Sequence, residues 1–518
     1  MMKKIVIIGA GPAGLTAGYQ LLKQARDCEV TVLEESEAFG GISRTVDHKG
    51  NRMDIGGHRF FSKNPRVTAM WEELMPLQGA PAFDDLKLSR TVELSSGGPD
   101  PETDDRVMLS RTRISRIFYK KKFIDYPVKM DWNSIRNIGF GTAFASLISY
   151  LWAKLHKLPE KSLENFYINQ FGYKLYSIFF EGYTEKIWGS HPRDISADWG
   201  AQRVKGLSFL TVLKDIFTSC VPGMRNEKKT EVSLIRKFNY PKYGPGQLWE
   251  TVADEIRRMG GKIITGCKAE SLVNEGNLIR KVVCRLNDEK VVFDADIVIS
   301  SMPLKDLVRG MTDVPAEIAN IANGLPYRDF VTVGILLDGL LLKNNTSYPS
   351  LNNIIPDCWI YVQDAGFKLG RIQIFNNWSP YMVRDPEHTV WIGLEYFCTE
   401  GDVFWNMSPD EWTKTGIDEL IRMGICAPGA QVKDSHVEKV KKAYPAYFGT
   451  YPEINKLIRY LDTFENLYCI GRNGQHRYNN MDHSMLTAFE TVDCIISGSK
   501  SRSAVWSVNT EQGYHEEG

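Results

Sequence analysis

The sequence predicts an α/β protein: a doubly wound sheet starting at the first strand, a mixed β-sheet part and a helical part. Three observations carry this. A strand, a glycine loop, a helix and a second strand follow one another within residues 1–34. Residues 133–215 have helical periodicity with clustered aromatics, and residues 325–400 alternate short apolar strands with turns. With 518 residues the chain is too long for one compact core, so two or three folding units are expected.

The first strand, KIVII at 4–8, is an apolar run ending in glycine, as in a parallel strand buried on both faces. Leu15–Gln24 has helical spacing and Glu29–Glu34 alternates, completing a β-α-β unit. Asp84–Asp105 is polar, carries GGPDPETDD and reads as a surface loop or insertion. After Tyr240, the turn YGPGQ (243–247) opens a helix that should end near Met259. The strand KIITG and alternating strands around VVCRL and VVFDADIVIS follow. VTVGILLDG, RIQIFN and TVWIGLEYF are expected strands of the mixed sheet. NLYCIG (466–471) precedes a loop and a closing helix from about Ser484 to Gly498, and the tail after Ser499 reads as disordered.

Bulk properties exclude several classes. Lys plus Arg and Asp plus Glu number 63 each, so charge gives no reason to expect a nucleic-acid partner. Nine cysteines without C-x-x-C spacing argue against a disulfide framework or a zinc site, and for a reducing, cytoplasmic setting. The N-terminus has a strand and glycine loop where a signal peptide would have a cleavage site. Residues 137–153 run for seventeen positions without a charge. They read first as a buried or half-buried helix and second as a peripheral membrane contact lying in the interface.

Gly9-Ala10-Gly11-Pro12-Ala13-Gly14 is G-x-G-x-x-G between a strand and a helix. Gly9 permits the tight turn, Gly11 lets backbone approach a pyrophosphate, and Gly14 lets helix and sheet pack closely. The helix N-terminus offers unpaired N–H groups to phosphates. Glu34 ends the second strand, where a carboxylate accepts hydrogen bonds from a ribose diol, with Glu35 beside it. Together these predict a Rossmann-type dinucleotide site. Gly40-Gly41-Ile42-Ser43-Arg44-Thr45 follows Glu34 after five intervening residues. It resembles the extension of the flavoprotein superfamily of amine oxidases, protoporphyrinogen oxidases and UDP-galactopyranose mutases, which implies FAD.

Further segments resemble the larger UDP-galactopyranose mutases most. Met53–Ser62, with Gly56-Gly57-His58, is similar to the loop that sets a histidine beside the flavin. Phe123–Pro127, FEGYTEKIW (180–188) with Ala197-Asp198-Trp199, GPGQLW (244–249), and Tyr361–Tyr381 with Arg371 and NNWSPY match in order. The stretch from Gly471-Arg472 through Tyr478 to Asp482-His483-Ser484 resembles the segment closing over flavin and diphosphate. By this resemblance His58, Arg371, Tyr444 and Tyr478 are the catalytic candidates. His58 would tune the flavin with an imidazole donor, or else satisfy a buried carbonyl, and Tyr444 and Tyr478 would pair on a diphosphate, or else belong to the core. The cofactor set is Gly9, Gly11, Pro12, Ala13, Gly14, Glu34, Glu35, Gly40, Gly41, Ser43, Arg44, Gly56, Gly57, His58, Gly471, Arg472, Asp482 and Ser484; no metal is expected.

Two departures stand out. The diphosphate-binding arginines of the mutases should fall where this chain has Glu181 and Gly334–Leu337, including Leu336. A carboxylate at 181 should repel a diphosphate. Arg328, Arg371 or the Arg111/Arg113/Arg116 cluster are possible substitutes, the cluster being equally readable as a solvated basic face.

The expected architecture is a discontinuous FAD-binding domain (1–83, 226–305 and 441–498) with a loop and substrate-domain strands at 84–130. A helical domain at 131–225, a β-sheet substrate domain at 306–440 and a tail at 499–518 complete it. The expected activity is that of a mutase-like isomerase acting on a phosphate-linked or lipid-linked sugar through reduced flavin N5, with NAD(P)H as a candidate reductant. The alternative is an FAD-dependent oxidoreductase acting on an amine, an alcohol or an apolar, lipid-linked substrate. A binding protein without turnover ranks last.

Overall fold

The computed structural model describes residues 2–25, 27–126, 139–197, 199–200 and 237–509. Pro127 and Asp198, residues 137 and 138 of the uncharged stretch, residues 201–225 of the expected helical domain and the tail beyond 509 lie outside the described residues.

A five-stranded parallel sheet has the order Leu467–Cys469, Ile297–Ser300, Lys3–Ile8, Cys28–Leu33 and Lys262–Ile264. The first strand is buried on both faces because its alternate side chains enter two different cores. Ile5 and Ile7 face the helices Pro12–Gln24, Gly246–Arg258 and Met481–Ser497, with Leu15, Trp249 and Met485. Val6 and Ile8 face Val298, Leu304 and Leu457, a core closed by the antiparallel strands Cys267–Glu275, Leu278–Leu286 and Glu289–Asp294. The run that looked like a two-sided strand is one. Helices Leu304–Arg309 and Ala316–Asn323 share this second core and precede the long strand Tyr327–Leu337 of the strand-rich part.

That part is a seven-stranded mixed sheet in the order Asp434–Pro445, Tyr327–Leu337, Val390–Cys398, Arg371–Ile374, Trp359–Val362, Ser115–Tyr119, Lys122–Asp125. Only Trp359–Val362 against Ser115–Tyr119 is parallel. Helix Pro409–Met423 covers one face. It starts at a Ser408/Glu411 capping box and stops at Gly424, whose φ of 77° suits glycine. Helices Phe140–Leu155, Leu163–Phe171, Tyr173–Phe179 and Glu181–Trp188 form an aromatic layer against the other face.

Three expectations change. Within the polar stretch 84–105, Asp84 and Asp85 are buried, because both ion-pair with buried Arg111. The Arg111/Arg113/Arg116 cluster is therefore not a solvated face: Arg116 is likewise buried, against Asp357. The chain after Ser499 is ordered as far as 509. Helix Ser503–Ser507 buries Val505 and Trp506, and the Trp506 indole donates to Asp462 at 2.9 Å.

Candidate functional site

The parallel sheet ends its strands at a glycine cradle. Gly9 turns with φ 100°, and a Cβ there would overlap Ser301. Helix Pro12–Gln24 then begins with proline in its first turn. The Gly40 N–H donates to the Ala10 carbonyl at 2.9 Å, laying the second glycine segment on the first. A Cβ at Gly11 would stand 3.9 Å from the Gly41 Cα, so the slot between these backbones admits only a slim group. The Gly471 N–H donates to Thr487 at 2.9 Å, bringing the closing segment against Ala13. Glu34 is fixed at its strand end by donors from Ala10 (2.7 Å) and Ser36 (2.8 Å).

These segments line a cavity of about 1270 Å³. That exceeds the roughly 300–1,000 Å³ of ordinary small-molecule pockets and suits a dinucleotide together with a substrate. The cavity wall contains Gly9, Gly11, Pro12, Ala13, Glu34 and Glu35 at one end. Gly41, Ser43, Arg44, Gly56, Gly57 and His58 follow, then Gly471, Arg472, Asp482 and Ser484. Gly14 and Gly40 stand behind the wall: a Cβ at Gly14 would overlap the Gly9 carbonyl, and one at Gly40 would press on Trp249. The slot, the Glu34 carboxylate and the open helix N-terminus fit an FAD-type dinucleotide. The Arg44 guanidinium lies 3.4 Å from Glu438. The Arg472 guanidinium donates to the carbonyls of Asn479 (2.9 Å) and Ala443 (3.0 Å), so it clamps the closing segment.

His58 answers both sequence readings. It lines the cavity, and its Nδ1 lies 2.8 Å from the Gly56 carbonyl, which fixes Nδ1 as the protonated nitrogen. Burial, helped by the Arg472 charge, lowers its pKa to about 4. The ring is therefore neutral, and Nε2 is left as an acceptor. The imidazole N–H is held by Gly56, and the ring offers the cavity an acceptor. Asp54, wholly buried in the same loop, accepts from Tyr240 and from Thr45 at 2.9 Å; burial raises its pKa to about 7.

Beyond the glycine cradle the cavity is walled by aromatic side chains from the helical layer and the large sheet. Arg371 crosses this lobe, between Trp359 and Phe397, with its guanidinium 5.5 and 5.0 Å from their ring centres. Its Nε donates to the Tyr183 hydroxyl at 3.0 Å, and its Nη1 to Tyr444 and Glu395, both at 3.3 Å. Burial works against this charge, but Tyr183, Tyr444 and Glu395 hold the Arg371 pKa well above the ordinary arginine value. Burial pushes the Tyr444 phenol up to about 12, so it stays a donor. Tyr478 stacks on Tyr444 at 5.5 Å, which joins the last of the four expected catalytic residues to the group.

The two departures take a different meaning here. Glu181 does not line the cavity; its carboxylate pairs with His191 at 3.3 Å, and its helix presents Tyr183, Thr184, Ile187 and Trp188 to the interior. Leu336 packs with the Met53 and Trp391 core. Neither position sets the field of the site, so no repulsion arises at 181. Of the proposed substitutes, Arg328 is spent on the Ile187 and Phe397 carbonyls, whereas Arg371 and Arg113 line the cavity. Sequence reasoning missed Glu395, Tyr183 and Trp359, whose ring fills the space a Cβ on Gly57 would need. A lone glutamate in the apolar strand Val390–Cys398 was the available signal.

A glycine-cradled dinucleotide groove opening into an enclosed second lobe defines the class: the fold is that of FAD-dependent flavoenzymes. Residues 7–74 match the NAD(P)-binding Rossmann-like domain family. The chain is 21% identical over 366 residues to the mitochondrial protoporphyrinogen oxidase of Nicotiana tabacum, covering 67% of each. Among solved structures it is similar to reduced UDP-galactopyranose mutase, with TM-score 0.76, 19% identity, and 98% and 96% of the two chains covered. It is also similar to an Exiguobacterium sp. 255-15 protein provisionally assigned as a protoporphyrinogen oxidase, with TM-score 0.66, 14% identity, and 96% and 100% covered. These likenesses support the resemblance to the FAD-dependent amine oxidase superfamily.

Proposed function

We propose that this chain is an FAD-dependent enzyme acting on a phosphate-linked sugar, with redox-neutral, mutase-like chemistry. The observation that carries the reading is the Arg371 group. A permanent cation and two phenol donors sit in a water-poor lobe beside the glycine cradle. Such an arrangement recognises a phosphate oxygen, because guanidinium and phenols donate without needing to lose a proton. Arg371 Nη2 has no hydrogen-bond partner among the described residues and is the atom we assign to the anion. Arg113, on the same wall, lies 5.7 Å from the centre of the Tyr126 ring, has no carboxylate paired with it among the described residues, and supplies a second cation.

Bound FAD supplies a ring that takes up and returns an electron pair. The chain's own residues then have separate tasks. His58 Nε2 accepts an N–H or O–H in the cavity, and the neutral ring brings no charge of its own. Arg371, Tyr183 and Tyr444 orient the leaving phosphate, and the aromatic walls exclude water.

A second reading has its own support. Phe171, Leu175, Phe179 and Phe180 make one wall of the lobe largely apolar, which favours an oxidoreductase with an apolar substrate. One experiment separates the two. The anaerobically reduced protein is offered nucleotide sugars and polyprenyl-phosphate sugars, and NAD(P)H is compared with dithionite as reductant. Isomerised sugar with the flavin returned to its starting state supports the mutase reading. Stoichiometric reduction of oxidised flavin by the substrate itself overturns it in favour of the second.

A further inference from the structure

We propose that the outer face of helix Phe140–Leu155 is a docking surface for an anionic lipid bilayer. This surface is independent of which reaction the cavity performs. Phe144, Ile148, Leu151, Trp152 and Leu155 fall on one face of the helix, spaced four, three, one and three residues apart. Their side chains are 66, 54, 52, 65 and 80% exposed. A contiguous apolar stripe of this size on a surface marks an interaction site rather than ordinary scatter. The opposite face is fully used. Tyr150 and Ala153 are buried, and the Ser149 hydroxyl accepts the Lys174 N–H at 3.0 Å, fixing the helix to the layer beneath.

Length and charge identify the occupant. The helix has 16 residues, about 24 Å at 1.5 Å per residue, and no helix among the described residues is long and apolar enough to cross a membrane. It can therefore lie in a bilayer surface but not span one. Its only charged residue is Lys154, in the last turn; Lys157 and Lys161 follow three and seven residues later, with Glu160 the one acid among them, and the Lys154 and Lys157 ammoniums reach the Asn169 carbonyl at 3.5 and 3.1 Å at the basic end of the helix. Trp152 stacks on His156 with ring centres 3.9 Å apart, at the junction of the apolar stripe and this basic end. An apolar face, an indole at its edge and lysines beyond it match the order of acyl chain, interface and anionic headgroup. A protein partner would need no such net-basic rim.

The face also has a position that matters. Helices Leu163–Phe171 and Tyr173–Phe179 lie directly beneath it, and their inner residues Tyr167, Phe171, Leu175 and Phe179 line the apolar wall of the cavity. One helical layer separates the proposed bilayer contact from the substrate lobe.

The test uses the full chain with its cofactor and vesicles of phosphatidylcholine with or without phosphatidylglycerol, read by co-sedimentation. The wild type should bind the anionic vesicles about ten-fold or more tightly than the neutral ones, since each lysine near a charged surface contributes. Ile148→Asp with Trp152→Asp should lose that binding while keeping the melting temperature and flavin content of the wild type. Should that variant fold poorly, Lys154→Gln with Lys157→Gln provides the second arm and should cut the preference for anionic vesicles by about ten-fold. Equal binding to both vesicles, variants that bind as the wild type does, or a wild type that stays in solution and pairs with a second copy each overturn the proposal.

Discussion

Arg371 and Glu395 stand directly opposite each other on neighbouring antiparallel strands, 3.3 Å apart, with Glu395 wholly withdrawn from solvent. Gln373 donates to the other Glu395 oxygen at 3.0 Å. The carboxylate thus compensates the cation that the cavity exposes. Glu395→Leu should destabilise the protein by about 3–5 kcal/mol, because it strands a buried charge. Glu395→Gln, which keeps an acceptor for Arg371, should cost about 1–3 kcal/mol. Urea unfolding measures both; a Leu variant as stable as the wild type would show that another group compensates Arg371.

Three arginines in one short stretch should behave differently. Arg111→Ala breaks a buried pair with Asp84 and Asp85, and a loss of about 3–5 kcal/mol is expected. Arg113→Gln should change stability by no more than about 0.5 kcal/mol, since Arg113 has no carboxylate partner among the described residues. The same Arg113 variant should raise KM for a phosphorylated substrate. A fall in kcat with unchanged KM would place Arg113 outside substrate binding.

Asp54 makes stability depend on pH in a stated direction. Its carboxyl titrates at 3.8 when unfolded and at about 7 in the buried site. Between those values the folded state holds a proton that the unfolded state has lost. The stabilisation is complete below pH 3.8 and is lost as pH rises to about 7, by at most about 1.4 kcal/mol per unit. Unfolding free energy against pH, compared with Asp54→Asn, isolates this slope; identical slopes would contradict the burial of a titrating group.

His58 should titrate at about 4 in the cofactor-free protein, by histidine-selective NMR assigned with His58→Asn. A midpoint near 6.5 would mean that the ring is solvated and that Nε2 is not a standing acceptor at neutral pH.

The glycine loop separates binding from folding. Gly11 has φ −81°, and its Cβ has room, so Gly11→Ala should fold; Gly11→Val should fold but lose its FAD, its branches filling the slot against Gly41. Gly14→Ala should instead unfold the domain, because its Cβ would overlap the Gly9 carbonyl. The absorbance of the flavin per protein, read beside the melting curve, distinguishes the two outcomes.

Much of this was legible along the chain, and the rest was hidden for physical reasons. Strand, loop, helix and Glu34 are local patterns, so the sequence displays them in order. That Gly471 closes on Ala13 was anticipated only through the family resemblance of the closing segment. Ion pairs across distant segments have no such signature. Asp84 and Asp85 sit in a stretch whose composition says surface, and only the approach of Arg111 makes their burial possible. Glu181 was misread because a segment match locates a helix but not which way each side chain faces. Trp506 looked like part of a loose tail, although one indole with a waiting carboxylate is enough to seat it.

The parallel sheet has a consequence for how the protein is made. The first strand pairs with Cys28–Leu33 on one side, but its other neighbour, Ile297–Ser300, and the strand Leu467–Cys469 beyond that one come late in the chain. A nascent chain leaves the ribosome N-terminus first, so the glycine loop emerges before the strands that complete its sheet. The Gly471 wall of that loop's groove emerges only some 460 residues later. Flavin capture therefore waits for the closing segment, and products terminated before Gly471 should be colourless however well their first strands have folded.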